Sequence, residues 1–270
     1  MSTASNAPPA LLARREGGVL VLTNNNEAAR NALSPEFYLG LTEALKAAAT
    51  DNTVGAIVLT GAGGHFCSGG DLRRIATRRE QPIEKRRELL EGLHDLVRAL
   101  RDCPKPVIAA VEGAAAGAGL SLAMACDMMV VARNAVFSVA YVKVGLSPDG
   151  GATAFLAEHL SRQLLTEMCL TGDRVSGERM QQLGVVNRLT EPGAALQEAV
   201  ALGTQLASGP LMAMGSIKQL CRAAYSQTLE AQLDMEAELM VRAQGMDEAL
   251  EGITAFLEKR PADYVKIRKP

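Results

Sequence analysis

Tryptophan is absent from this 270-residue chain and aromatic residues make up only 3 % of it, so binding nucleic acid by base stacking has little to work with. A formal net charge of −2 also argues against a phosphate-backbone partner. The cysteines are odd in number and scattered: Cys67, Cys103, Cys126, Cys169 and Cys221 form no CxxC pair. That pattern excludes a disulfide framework and a zinc site and leaves reduced, mostly buried thiols. His65, His94 and His159 are too dispersed for a metal cluster. No apolar run reaches ~18 residues, so no membrane span is expected. Met1–Pro9 lacks the charged-then-apolar layout of a signal peptide and reads as a loose tail, which makes the cytoplasm the expected compartment.

What is present is an ordinary globular balance, 48 % hydrophobic and 21 % charged, enough to bury a sizeable core. Two strands are expected at Leu11–Arg15 and Val19–Thr23, joined by Gly17-Gly18. Ser34-Pro35-Glu36 reads as a helix start, after which Phe37, Leu41, Leu45 and Ala48 share one face. Ala56–Thr60, Val107–Val111 and Met128–Ala132 are short apolar runs of the buried-strand kind. Ile83–Arg101 carries Leu89, Leu90, Leu93, Leu96, Val97 and Leu100 at helical spacing. From Ala194 onward the pattern is almost wholly helical, punctuated by Gly209-Pro210 and Gly245, and no internal repeat is visible. Strands alternating with helices, followed by helices alone, predict an α/β fold. The expected division is a core over residues 1–200 and a helical region over 201–270.

Three segments can carry chemistry. Cys67-Ser68-Gly69-Gly70 follows a buried strand, and its small side chains leave main-chain N–H groups open to a ligand. Gly113–Gly119, made of Gly and Ala, reads as a loop from a strand into a helix N-terminus, where the dipole favours negative charge. Two such donors converging on one carbonyl make an oxyanion hole, worth ~3 kcal/mol per donor. Neither segment holds GxxxxGK[ST], and Gly61–Phe66 lacks the last glycine of GxGxxG, so nucleotide hydrolysis and dinucleotide redox chemistry are unsupported. The third segment, Gly145-Leu146-Ser147-Pro148-Asp149-Gly150-Gly151, is turn chemistry when read bare, with Asp149 as a possible cap of the next helix.

Together these segments resemble the crotonase (enoyl-CoA hydratase/isomerase) superfamily. The likeness continues in Arg30-Asn31-Ala32-Leu33, Val58–Gly61, Lys105–Gly113, Leu122–Asp127, Leu170-Thr171-Gly172 and Ile253–Arg260. The resemblance implies a spiral of ββα units with a C-terminal helical trimerisation region, assembled as a homotrimer or hexamer. It implies oxyanion donors on Gly70 and Ala118. It implies coenzyme A, carried by the substrate rather than held as a cofactor, near Ala29, Arg30, Ala32, Ser68, Asp71 and Leu72. Phe256 and Lys259 would add to that pocket, across a subunit interface if need be.

The resemblance also marks a departure. The positions of the two hydratase glutamates align with Ser121 and Tyr141 here. Adding water needs a base and an acid, and a tyrosine with a reference pKa of ~10 is a poor base. Asp149 instead stands where isomerases of the family carry their aspartate, nearest to the phenylacetate-pathway isomerases and oxepin-CoA-related proteins. The expected activity is therefore double-bond isomerisation with Asp149 as proton shuttle, its pKa raised by Val139, Ala140, Val142 and Leu146. Ser121, Tyr141 and Leu146 are expected at the acyl group. The alternatives are a hydratase with non-standard acid/base residues, a dehalogenase (though those carry Trp where Tyr141 stands) and a non-catalytic acyl-CoA-binding homologue.

Overall fold

The computed structural model describes residues 9–268, so most of the expected N-terminal tail lies outside the described residues. Nine strands run in chain order: β1 Leu11–Glu16, β2 Val19–Asn24, β3 Ala56–Gly61, β4 Val107–Val111, β5 Ala114–Ala116, β6 Met128–Ala132, β7 Val136–Ser138, β8 Val175–Ser176 and β9 Arg188–Thr190. A six-stranded sheet has the order β1-β2-β3-β4-β6-β9, and its pairs are parallel except β1–β2. A smaller sheet has the order β5-β7-β8.

The large sheet is buried on both faces, and its sequence shows how. In β3, Ala56 and Val58 pack with Ala199, Leu202 and Ala207 of the helix Ala195–Ala207. Ile57 and Leu59 point the other way, into a core with Phe37, Leu41, Leu45, Leu96 and Leu100. β4 divides identically, Ile108 and Ala110 against Val107, Ala109 and Val111. This period of two along a strand, with both faces apolar, is why the sequence reads as a continuous hydrophobic run. Ser34 caps the helix Pro35–Thr50, its hydroxyl accepting the Phe37 N–H at 3.3 Å. The helix Ile83–Asp102 buries Leu93, Leu96, Val97 and Leu100, while Leu89 and Leu90 are half-buried.

The chain spirals. β4 enters the large sheet and β5 the small one, then β6 and β7 repeat the step. One turn earlier, β3 is followed by Cys67, which bridges to Ala115 of β5. This is the expected spiral of ββα units, closed by the helices Leu211–Ala223, Leu229–Gln244 and Asp247–Leu257.

One expectation is corrected. The Gly113–Gly119 segment is not all loop, because Ala114–Ala116 forms β5; three alanines carry little strand propensity and pair only because β7 and Cys67 lie alongside. Residue 200 falls inside the helix Ala195–Ala207, and Gly209-Pro210 separates that helix from the next. Asp127 is structural: its carboxylate accepts the Val107 N–H at 2.7 Å and pairs with Lys218 at 2.5 Å. Among the described residues no helix is long and apolar enough to cross a membrane, and no group of three or more His, Cys, Asp or Glu is placed to hold a metal ion.

Gly55 shows how closely the last core helix is seated. A Cβ there would lie 2.6 Å from Ala207 Cα and 2.8 Å from its carbonyl oxygen. Gly55→Ala is therefore expected to destabilise the fold by ~1–3 kcal/mol, the usual cost of overpacking. Urea unfolding checks this, and a midpoint unchanged from wild type would refute the packing.

Candidate active site

Two loops from successive turns of the spiral lie back to back. The Cys67 N–H donates to the Ala114 carbonyl at 2.9 Å, and the Ala116 N–H donates to the Cys67 carbonyl at 3.0 Å. Such an approach needs glycine on both sides. A Cβ on Gly119 would sit 2.3 Å from the Cys67 oxygen, and one on Gly69 (φ +96°) 2.7 Å from the Ala116 oxygen and 3.4 Å from the Ala118 nitrogen. On these apposed loops the N–H groups of Gly70 and Ala118 have no hydrogen-bond acceptor among the described residues. Ala118 opens the helix Ala118–Ala125, whose dipole adds partial positive charge at that end. Two free donors on rigid backbone can take up a developing oxyanion.

Asp149 reaches the same place from the other side. The Tyr141 ring lies against Gly117, within 3.8 Å of where a side chain there would start, and the Tyr141 hydroxyl donates to Asp149 Oδ1 at 2.8 Å. The Asp149 carboxylate does not cap the following helix; it is the main-chain carbonyl of Asp149 that accepts the Ala152 N–H at 3.2 Å. That carbonyl also accepts the Ser121 hydroxyl at 2.9 Å. Ser121 is wholly buried, and this hydrogen bond ties it to the Asp149 loop. Burial raises the Asp149 pKa above the ordinary carboxylate value, while the Tyr141 hydrogen bond and then the charges of His94 and Arg78 oppose the rise. Val142 and Leu146, expected to contribute to that burial, are 39 % and 43 % exposed. Buried Leu93 packs beside the same turn, its Cδ2 3.3 Å from where a Gly150 side chain would start.

The residues expected around a coenzyme divide into two places. Ala29, Arg30 and Ser68 are adjacent: the Ser68 N–H donates to the Arg30 carbonyl at 3.0 Å and its hydroxyl to the Ala29 carbonyl at 3.1 Å. Arg30 is exposed, in the left-handed region (φ +50°), and forms no ion pair with a described residue. Ala32 is buried. The Asp71 carboxylate accepts the Arg73 N–H at 2.9 Å and caps the short helix Leu72–Thr77, on which Leu72 is exposed. Phe256 and Lys259 lie elsewhere, at the end of the helix Asp247–Leu257 that packs on Leu229–Gln244. Phe256 is 82 % exposed.

Some neighbours of the site carry no signal in the sequence. Tyr38, from the first long helix, is close enough for the Asp149 charge to raise its pKa further, although burial is the larger cause. His94 lies on the helix Ile83–Asp102, with its Nδ1 3.6 Å from the Glu91 carboxylate. His65 is not a free loop histidine: it is half-buried and its Nδ1 accepts the Ala114 N–H at 3.4 Å. Cys67 is no nucleophile, since burial pushes its thiol up to about 12.

Comparison with known proteins shows the family. Residues 14–266 match the family model described as Enoyl-CoA hydratase/isomerase, and the chain belongs to that family, within the crotonase superfamily. It is 35 % identical over 255 residues to 1,2-epoxyphenylacetyl-CoA isomerase of Escherichia coli (strain K12), covering 94 % of this chain and 97 % of that one. It is 34 % identical over 258 residues to 2,3-dehydroadipyl-CoA hydratase of the same strain, covering 94 % and 98 %. The crystal structure of an enoyl-CoA hydratase from Polaromonas sp. JS666 superposes with a TM-score of 0.91 at 45 % identity, covering 94 % of this chain and 98 % of that one. The protein is thus an enzyme-family member whose relatives act on acyl-CoA thioesters.

Because the Tyr141 hydroxyl stabilises ionised Asp149, removing it should raise the carboxyl pKa further. A hydrogen bond to a charged group is worth ~1.5 kcal/mol, and one pH unit is ~1.4 kcal/mol. Tyr141→Phe should therefore move the Asp149 titration upward by about one unit. A 13C NMR titration of the Asp149 carboxyl reads this directly, and a downward shift would contradict the assigned contact.

Proposed function

We propose that this protein moves a carbon–carbon double bond in an enoyl-CoA thioester. The observation that carries the reading is Asp149, a half-buried carboxylate with raised proton affinity, held by Tyr141 beside the free Gly70 and Ala118 N–H groups. For a 3-enoyl thioester, Asp149 removes a proton from C2 and the electrons pass into a dienolate. Its oxygen accepts both N–H groups. Protonated Asp149 then delivers the proton to C4, and the double bond is left at C2–C3. One carboxylate with a pKa moved toward neutrality is sufficient for both transfers. Tyr141 and Ser121 stand at the positions of the hydratase glutamates and supply no carboxylate. The relative named for 1,2-epoxyphenylacetyl-CoA supports an aromatic-ring-derived acyl group, with a fatty acyl group as the alternative.

Hydration is the second reading, and one observation favours it. His94, paired with Glu91, lies within electrostatic reach of Asp149 and would supply the second acid/base group that adding water requires. In both readings coenzyme A arrives with the substrate. Arg30 and Lys259 are cations for its phosphates, with Phe256 and Lys259 reaching the pocket from a neighbouring copy. Exposed Leu229, Leu233, Met240, Val241 and Ile253 on the terminal helices support a trimer or a dimer of trimers.

Two measurements test this reading. Wild type incubated with 3-enoyl-CoA and 2-enoyl-CoA in D2O should interconvert the isomers with deuterium uptake and no 3-hydroxyacyl-CoA. Asp149→Ala should lower the rate by about 10³-fold or more while still binding CoA esters; formation of 3-hydroxyacyl-CoA would favour hydration, and an unimpaired mutant would exclude Asp149. Light scattering should give three or six times 28.5 kDa, and a monomeric mass would refute the assembly.

A further inference from the structure

Asn31 sits between the residues expected at the coenzyme and is assigned no role by the reading above. It is fully buried and occupies the left-handed region at φ +58°, where asparagine is the side chain best tolerated after glycine. Its amide nitrogen donates to the Ala62 carbonyl at 2.8 Å and to the His65 carbonyl at 2.6 Å, and its Oδ1 accepts the Asn26 N–H at 3.0 Å. Its own carbonyl accepts the Asn24 side-chain amide at 2.9 Å. One residue on, the first loop is zipped to this segment: the Ser68 N–H donates to the Arg30 carbonyl at 3.0 Å and the Leu33 N–H to the Gly69 carbonyl at 2.8 Å. The two carbonyls that Asn31 holds flank the turn through Gly63 and Gly64, at φ +64° and +77°, that launches the Gly70 loop. His65, fixed through its carbonyl, accepts the Ala114 N–H of the second loop through its ring. A Cβ on Gly61 would meet the Asn31 amide at 2.6 Å, so the fit is tight from below as well.

We propose that Asn31 is a positioning residue that sets the direction of the Gly70 N–H relative to Ala118 by clamping the Ala62 and His65 carbonyls. The inference rests on the reading of Gly70 and Ala118 as paired donors to the thioester oxygen. A buried amide with both hydrogens and its oxygen engaged has no rotational freedom, so the loop it holds is fixed in direction. Aspartate in its place would turn two donors into acceptors facing carbonyl oxygens. Glycine would keep the φ and lose the clamp.

The test uses Asn31→Gly and Asn31→Asp in the full-length protein, with trans-cinnamoyl-CoA as an optical probe. Bound between two N–H donors, its conjugated carbonyl is polarised and its absorption band moves to longer wavelength. Wild type should show that shift. Both variants, judged folded by circular dichroism, should lose at least half of it. They should bind CoA esters within about 3-fold of wild type and show kcat lower by roughly 10- to 100-fold, as misdirected donors predict. A full wild-type shift and unchanged kcat in either folded variant overturns the inference alone. Absence of a shift in wild type overturns the donor pair, and the inference with it. If neither variant folds, Asn31 is a determinant of the fold and not of the site, which also overturns the proposal.

Discussion

Close approach of main chain to main chain at the Cys67–Ala115 bridge is the constraint on which the rest of this structure depends. Two turns of the spiral come so near that Gly69 and Gly119 have no room for a Cβ. That proximity places the Gly70 and Ala118 N–H groups on neighbouring loops with no acceptor among the described residues. Unpaired donors cost stability when buried, and it is this cost that the proposed reading explains by an acceptor arriving from outside. The sheets serve this arrangement. β3, β4 and β6 are parallel and packed on both faces, so the loops leaving their ends start from rigid, aligned points.

Against that fixed backbone, the electrostatics of Asp149 are a balance. Desolvation raises its proton affinity, and the Tyr141 hydroxyl, His94 and Arg78 pull it back. A carboxylate left in water would be too weak a base to share a proton with a carbon acid, and one buried without partners would stay protonated. Tyr141 and Ser121 together hold the Asp149 turn by its side chain and its carbonyl.

The coenzyme side shows a division of another kind. Ser68 is bonded to the Ala29 and Arg30 carbonyls and Asp71 caps its own short helix, while Phe256 and Lys259 lie at the end of a helix that carries much exposed apolar surface. In the proposed reading, a pocket assembled from both sets would draw on the association of copies as well as on the folding of one chain, and the exposed apolar residues of the terminal helices would belong to its architecture.

Much of this was legible along the chain. Phe37, Leu41, Leu45 and Ala48 mark a buried helix face by spacing alone, and Ser34 marks where it begins, because helix geometry is local and repeats every 3.6 residues. The apolar runs of β3, β4 and β6 were equally plain. β5 was not, since three alanines become a strand only when neighbours from other turns pair with them. Asp149 could be singled out by its segment, but whether its side chain or its carbonyl serves the next helix depended on Tyr141, eight residues away and on the far side of a turn. His94, Tyr38 and the clamp made by Asn31 had no sequence signature, because distances between separate elements are set by packing rather than by spacing along the chain. Local periodicity and residue chemistry thus determined the elements, and the family resemblance singled out Asp149 as the candidate carboxylate. The tertiary structure decided which donors stay free, which hydroxyls are already engaged, and how far burial shifts a proton.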